Sequence, residues 1–270
     1  MLVFSYHKSG TSLFARVMPK VADALGLRLG TQYGMVWDID ARPDICLLPH
    51  SLLASGIGRP YRAIRVVRDP RDIWVSGYLY HRHTNEPWCI NTNFDPTPPI
   101  RVPRVDYAFQ HRPERWKRRY LAALGGKSYQ QNLLDRDRDA GLAFELAGYT
   151  GCTLDAMRAW RLAGPDVLDV RLEDFSGDYD GAMLTAFRHL GFTAAECEAA
   201  IPLARSEDIA RMDDAAIASR PQIHSRDISK WRAFLTAGQV AQFEALYGDL
   251  IVGLGYRLAR DCPSAEAPVA

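Results

Sequence analysis

The residues with the clearest chemistry sit in the first dozen positions: Lys8, then Ser9, Gly10, Thr11 and Ser12. Lysine is a compact point charge, and the three hydroxyls are hydrogen-bond donors. Glycine lets the backbone approach a ligand closely. An apolar, β-favouring run, Leu2-Val3-Phe4, precedes the cluster. After it Leu13, Val17, Val21 and Leu25 recur every four residues, a helical pattern. Strand, tight polar turn and helix together cradle a phosphate-like anion, because the first N–H groups of a helix are unpaired and its dipole favours negative charge. The same stretch also fits an ordinary strand-to-helix turn capped by Ser or Thr.

A second set lies further on. Arg68 closes the β-branched run Ala63-Ile64-Arg65-Val66-Val67. Asp69-Pro70-Arg71-Asp72 then starts a helix, with Asp69 as N-cap, Pro70 in the first helical position and Asp72 in the capping-box position. Ser76 comes eight residues after Arg68. Six helical residues rise about 9 Å, so a long arginine from the strand end and a hydroxyl from the helix reach one anion. The competing reading is a well-capped helix with solvated arginines.

The elements that must carry these residues alternate. Leu27–Thr31 reads as a short strand, Ile45-Cys46-Leu47-Leu48-Pro49-His50 as an apolar run ending in a polar residue, and Asp166–Arg171 as a late strand, with helical patterns between. Such alternation predicts an α/β fold in three layers, a central parallel sheet with helices on both faces. Ligands of such sheets bind at the carboxyl ends of the strands. Residues 84–112, with Pro87, Pro96, Pro98, Pro99 and Pro103, break the pattern and predict a long loop, which Trp88, Phe94, Tyr107 and Phe109 would pack down. A basic helix is expected over Arg112–Leu124, further helices over 128–163, and helices from 176 onward around a loop at 205–228. The last helix, 236–253, would bury Val240, Phe243, Leu246, Tyr247, Leu250 and Ile251, and the tail after Arg260 would fray.

Composition narrows the function classes. Apolar content of 47% and charge of 24% are those of an ordinary globular chain, and a net charge of +1 argues against a general nucleic-acid binder. Cys46, Cys89, Cys152, Cys197 and Cys262 are scattered, so neither a zinc site nor a disulfide framework is indicated, and a reducing compartment is the simpler inference. No run of roughly 18 apolar residues marks a membrane span, and no secretory signal is read at the N-terminus.

Taken in order, these stretches resemble the PAPS-dependent sulfotransferase family, PAPS being 3′-phosphoadenosine 5′-phosphosulfate. Tyr6-His7-Lys8-Ser9-Gly10-Thr11-Ser12 is similar to the family's YPKSGTT loop, which grips the 5′-phosphosulfate. Val67-Arg68-Asp69-Pro70-Arg71-Asp72 through Ser76 is similar to its 3′-phosphate motif. Arg171-Leu172-Glu173-Asp174-Phe175 resembles the RYEDL strand end, Lys230–Thr236 the GDWKNxFT segment, and Leu254-Gly255-Tyr256 the closing LGY.

The resemblance implies a P-loop-like sulfotransferase architecture over residues 1–258, with 84–163 as an acceptor-side insertion and 259–270 as a tail. It implies transfer of a sulfuryl group from PAPS to the hydroxyl or amine of a small-molecule or carbohydrate acceptor, giving PAP without an obligatory metal, in the cytoplasm. Lys8 inherits the place beside the breaking bond, and His50, eighteen residues before Arg68, inherits that of the base. Histidine titrates near neutrality, which suits a base, although His50 also fits a loop residue that caps the next helix. His7 stands where the family has proline and competes for contact with the reacting groups. Ser9, Gly10, Thr11 and Ser12 would bind the 5′ end of the nucleotide, and Arg68, Ser76 and Arg226 the 3′-phosphate.

Departures accompany the likeness. Leu13 replaces the usual aromatic, Leu172 the tyrosine before Glu-Asp, and His224–Ser229 lacks the glycines of the family's RKGxxG clamp. His81 and His83 read as solvated or as rims of the acceptor pocket, and Arg101, Arg104, Arg112, Arg115, Lys117, Arg118 and Arg119 as a solvated helix face or an attraction for an anionic acceptor. Trp88, Tyr107, Trp116 and Tyr129 fit an acceptor stack or a core equally. Two rival readings remain: a P-loop kinase, whose glycine-lysine order the loop lacks, and a non-catalytic nucleotide-binding protein on the same fold.

Overall fold

A computed structural model describes residues 1–90, 92, 122–220, 222–223 and 226–262. Most of the expected 84–112 loop and of the basic helix, including Phe94, Tyr107, Phe109, Trp116 and the basic residues from Arg101 to Arg119, lies outside the described residues, as do His224, Ser225 and the tail from Pro263.

In chain order the main elements are β1 (Leu2–Ser5), α1 (Thr11–Ala24), β2 (Leu29–Thr31), β3 (Gly34–Val36), β4 (Ile45–Pro49), β5 (Ser51–Leu53), β6 (Ala63–Val67) and α2 (Pro70–His81). There follow α3 (Tyr129–Leu134), α4 (Arg138–Glu145), a π-helical turn at Leu146–Thr150, α5 (Gly151–Arg158), β7 (Val167–Arg171), α6 (Tyr179–Leu190), α7 (Ala194–Ala204) and α8 (Ala237–Gly253). They form two compact units: Met1–Arg68 with Ala159–Ile228, and Asp69–Arg158 with Ser229–Ala270.

The first unit holds the sheet, in the order β2-β4-β1-β6-β7, and all four pairings are parallel. The α/β reading with a central parallel sheet therefore holds. β1, β4 and β6 are short and buried on both sides, as a sheet covered on both faces requires. On one face of the sheet Val3, Ile45, Leu47, Ile64 and Val66 pack with Phe14, Val17, Met18 and Val21 of α1, and with α6 and α7 through Met183, Phe187 and Ala200. On the other face Leu2, Phe4, Cys46 and Leu48 pack with Val36, Ile39, Trp160 and Leu162. Phe4 meets Trp160 edge-on, with centroids 4.9 Å apart.

Two short strands were not expected from the sequence. β3 and β5 form a separate parallel ribbon, Gly34 opposite Ser51. At three residues each, they are too brief for alternation to register.

The second unit is helical among its described residues. Asp69 caps α2 by accepting from the Arg71 N–H at 2.9 Å, with Pro70 behind it, as expected. Asp72 does not complete a capping box; its Oδ1 accepts from the Trp231 N–H at 3.0 Å. Arg71 is 1% exposed rather than solvated. Its guanidinium binds Asp69 and Glu244, each at 2.7 Å, donates to the Arg257 carbonyl and lies 3.9 Å over the Trp231 ring. α8 opens on a Thr236/Gln239 capping box. Its apolar face is as expected except at Leu246, which is 60% exposed.

His81 corrects a further expectation: it is fully buried, not solvated or on a rim. Its Nδ1 lies 2.8 Å from Glu145 Oε2, and Glu145 also accepts from Tyr129 Oη and Thr150 Oγ1. Trp88 and Tyr149 stack beside this network, so Trp88 and Tyr129 belong to this unit's core. His83 is exposed.

Candidate functional site

The site is assembled at the carboxyl edge of the sheet, within the first unit. Register places Ser5 of β1 opposite both Pro49 of β4 and Val66 of β6, and Val67 opposite Arg171 of β7. The residues that follow these strands therefore emerge side by side: Tyr6 to Gly10, His50, Arg68 and Leu172. From β1 the chain first runs outward through β2 and β4, then crosses to β6 on the other side. That reversal is the topological switch point, where parallel α/β sheets bind their ligands.

The turn between β1 and α1 is tightly built. Ser9 is fully buried; its hydroxyl accepts from the Tyr6 N–H at 2.7 Å and donates to the Tyr6 carbonyl at 3.0 Å. Thr11 Oγ1 donates to the same carbonyl and meets Ser5 Oγ, both at 2.9 Å. These two hydroxyls thus shape the loop. Gly10 is the N-cap, at φ 86°, with no side-chain cap and no acidic residue in the first turn. A Cβ at Gly10 would lie 2.9 Å from Val66 Cγ1 and 3.3 Å from Leu172 Cδ1. Glycine is therefore required twice, for conformation and for space. Val66 is the nearer wall of this contact and Leu172 the second.

Backbone strain marks the two reactive candidates. Among the described residues only Lys8, at φ 58°, and His50, at φ 53°, are non-glycine residues in the left-handed region. Such conformations cost about 1–3 kcal/mol each and cluster at functional sites. His50 is fixed by its N–H donating to the Ser5 carbonyl at 2.8 Å. Its ring lies 5.7 Å, centroid to centroid, from that of His7, which is 7% exposed. The structure thus brings Lys8, His7 and His50 to one edge of β1 and β4.

Arg68 joins them. It is 5% exposed; Nη1 donates to the Lys8 carbonyl at 3.1 Å and Nη2 to the Ile228 carbonyl at 2.8 Å. The Lys8 ammonium donates to the Gln222 carbonyl at 2.9 Å. Both cations therefore touch the segment around 222–228, where the sequence pointed to a 3′-phosphate clamp. Arg226 of that segment is held elsewhere: its guanidinium binds Asp214 Oδ1 at 2.8 Å and the Met212 carbonyl at 2.7 Å. Ser76 lies on α2 in the second unit, 4% exposed.

One functional support escaped the sequence reading. Arg65, in the middle of β6, forms a bidentate pair with Asp169, its register partner on β7, and its guanidinium sits 4.9 Å over Trp160. Tyr6 lies beside this arginine, and burial pushes its hydroxyl well above the ordinary value of 10. Tyr6 is thus neutral. An arginine within Ala-Ile-Arg-Val-Val and an aspartate within Val-Leu-Asp-Val-Arg were the available signal. Burial also raises the Cys46 thiol on β4 to about 11, so it stays protonated. Among the described residues no group of three or more His, Cys, Asp or Glu side chains is arranged to hold a metal, and no helix is long and apolar enough to cross a membrane.

No family model matches the sequence, and no curated protein matches it. Among solved structures the chain is similar to mouse sulfotransferase SULT7A1 complexed with PAP, at 17% identity and a TM-score of 0.46, over 93% of this chain and 83% of that one.

Proposed function

We propose that this chain is a sulfotransferase that moves a sulfuryl group from PAPS to an acceptor hydroxyl or amine and yields PAP. The observation that carries the reading is the pair of strained residues, Lys8 and His50, at the ends of adjacent parallel strands. A helix start without an acidic residue or side-chain cap supports it, because that arrangement suits an anion. Buried Arg68 on the Lys8 carbonyl adds a second cation.

The donor supplies the sulfuryl group already activated as a phosphosulfate. The N–H groups of Gly10, Thr11 and Ser12 and the Ser12 hydroxyl bind its 5′ end, and Arg68 and Ser76 its 3′-phosphate. Arg226 joins them only after leaving Asp214. Lys8 compensates the charge left on the departing phosphate oxygen, the role in which a fixed cation lowers a barrier most. His50 takes the acceptor's proton as the new O–S bond forms, and His7 is the alternative base. The test is transfer from radiolabelled PAPS to a panel of sugars, phenols, amines and peptides. Label in an acceptor, lost in Lys8→Ala, supports the reading. PAP binding without transfer to any acceptor would make the chain a nucleotide-binding protein instead.

A further inference from the structure

The unexpected β3–β5 ribbon borders a surface pocket of about 280 Å³. Its walls include Trp37, Asp38, Ser55 and Arg59, and the glycines Gly56 and Gly58. Trp37 is 75% exposed, the most exposed of the large apolar side chains in the described residues. The walls are fixed: Ser55 Oγ donates to the Trp37 carbonyl at 3.3 Å, and Arg59 Nη2 to the carbonyls of Ile39 and Asp40. Neighbouring charges are already paired, Asp40 with Arg42 and Asp44 with Arg28. Asp38 has no such partner among the described residues, and neither do Nε and Nη1 of Arg59.

We infer that this pocket is a carbohydrate subsite, in which Trp37 stacks on a pyranose ring of an oligosaccharide. An indole face is electron-rich and meets the C–H face of a sugar well. The Asp38 carboxylate accepts from two adjacent hydroxyls, and Arg59 donates to ring or hydroxyl oxygens. A polyol needs this mixture of acceptor, donor and flat apolar face; a purely apolar ligand would leave both charges unpaired. The volume suits one or two rings rather than a large ligand.

As a binding site the pocket stands by itself; as an acceptor subsite it rests on the sulfotransferase reading. Leu53 lines the pocket three residues after His50, which at strand spacing is about 10 Å. The seated ring is therefore not the one that reacts, and only a longer acceptor chain would extend from Trp37 toward His50.

The experiment is a titration of the full chain with chitotetraose, cellotetraose and maltotetraose, followed by tryptophan fluorescence and calorimetry, with PAP titrated in parallel. The expected result is saturable binding of at least one sugar at millimolar concentration or below. Trp37→Ala weakens it by about tenfold or more, and Asp38→Asn weakens it. Trp37 is exposed, so its replacement leaves the thermal midpoint in place. Absence of binding for all three sugars, or equal affinity in Trp37→Ala, overturns the inference even if PAP binds. Sugar binding without PAP binding keeps the subsite and overturns the sulfotransferase reading.

Discussion

Replacing Gly10 with alanine tests the loop where its geometry is tightest. Two separate costs add. An L-residue in the left-handed region at φ 86° costs about 1–2 kcal/mol. The new Cβ would also sit 2.9 Å from Val66 Cγ1. Val66 is β-branched, fully buried and paired in the middle of the sheet, so it yields only by straining. Overpacking of this kind costs about 1–3 kcal/mol. The expected loss is therefore about 2–5 kcal/mol in urea unfolding, with an unchanged m-value. Gly26 provides the control. It has φ 64° but nothing within 4 Å of its would-be Cβ, so Gly26→Ala should lose only the first, conformational part, about 1–2 kcal/mol. If Gly10→Ala and Gly26→Ala lost the same amount, the close approach of the loop to Val66 and Leu172 would be refuted.

Further predictions concern chemistry and stability. Lys8→Ala should chiefly lower turnover and Ser76→Ala chiefly weaken PAPS binding, both read by steady-state kinetics with labelled PAPS. His50→Ala should abolish most transfer; intact turnover would move the base to His7. Arg71→Met strands Asp69 and Glu244 in the second unit and should cost about 3–5 kcal/mol by chemical denaturation. Burial opposes ionisation of Glu207, yet Lys20 and Arg220 hold its carboxyl below the ordinary value of 4.5. A depressed folded-state value stabilises above 4.5 and is lost progressively below it. Glu207→Gln should therefore flatten the acid limb of the stability profile in that range.

Much of the first unit was legible because its signals are local. β1, β4 and β6 are bounded apolar runs; in the second unit the start of α2 was legible in the same way, from Asp69-Pro70. The left-handed turn at Lys8 was not legible, since lysine carries no preference for it; the strain is imposed by Ser9 and Thr11 closing on the Tyr6 carbonyl. His81 misled because a polar residue at the end of a helix usually faces water. Only the fold supplies its partner, Glu145, 64 residues away in sequence. Arg65 and Asp169 are 104 residues apart, and no local pattern pairs them. That the Ser9 and Thr11 hydroxyls bond within the turn was not legible either, since a hydroxyl beside a glycine reads equally as a ligand or as a turn former.

The most direct test of the central claim is the thermal midpoint of the full chain with PAP and, separately, with ATP and magnesium. A ligand at a hundred times its dissociation constant stabilises the folded state by about 2.7 kcal/mol. A clear rise with PAP, none with ATP–magnesium, and a smaller rise with PAP in Ser76→Ala are expected. A rise with ATP–magnesium and none with PAP would contradict the account.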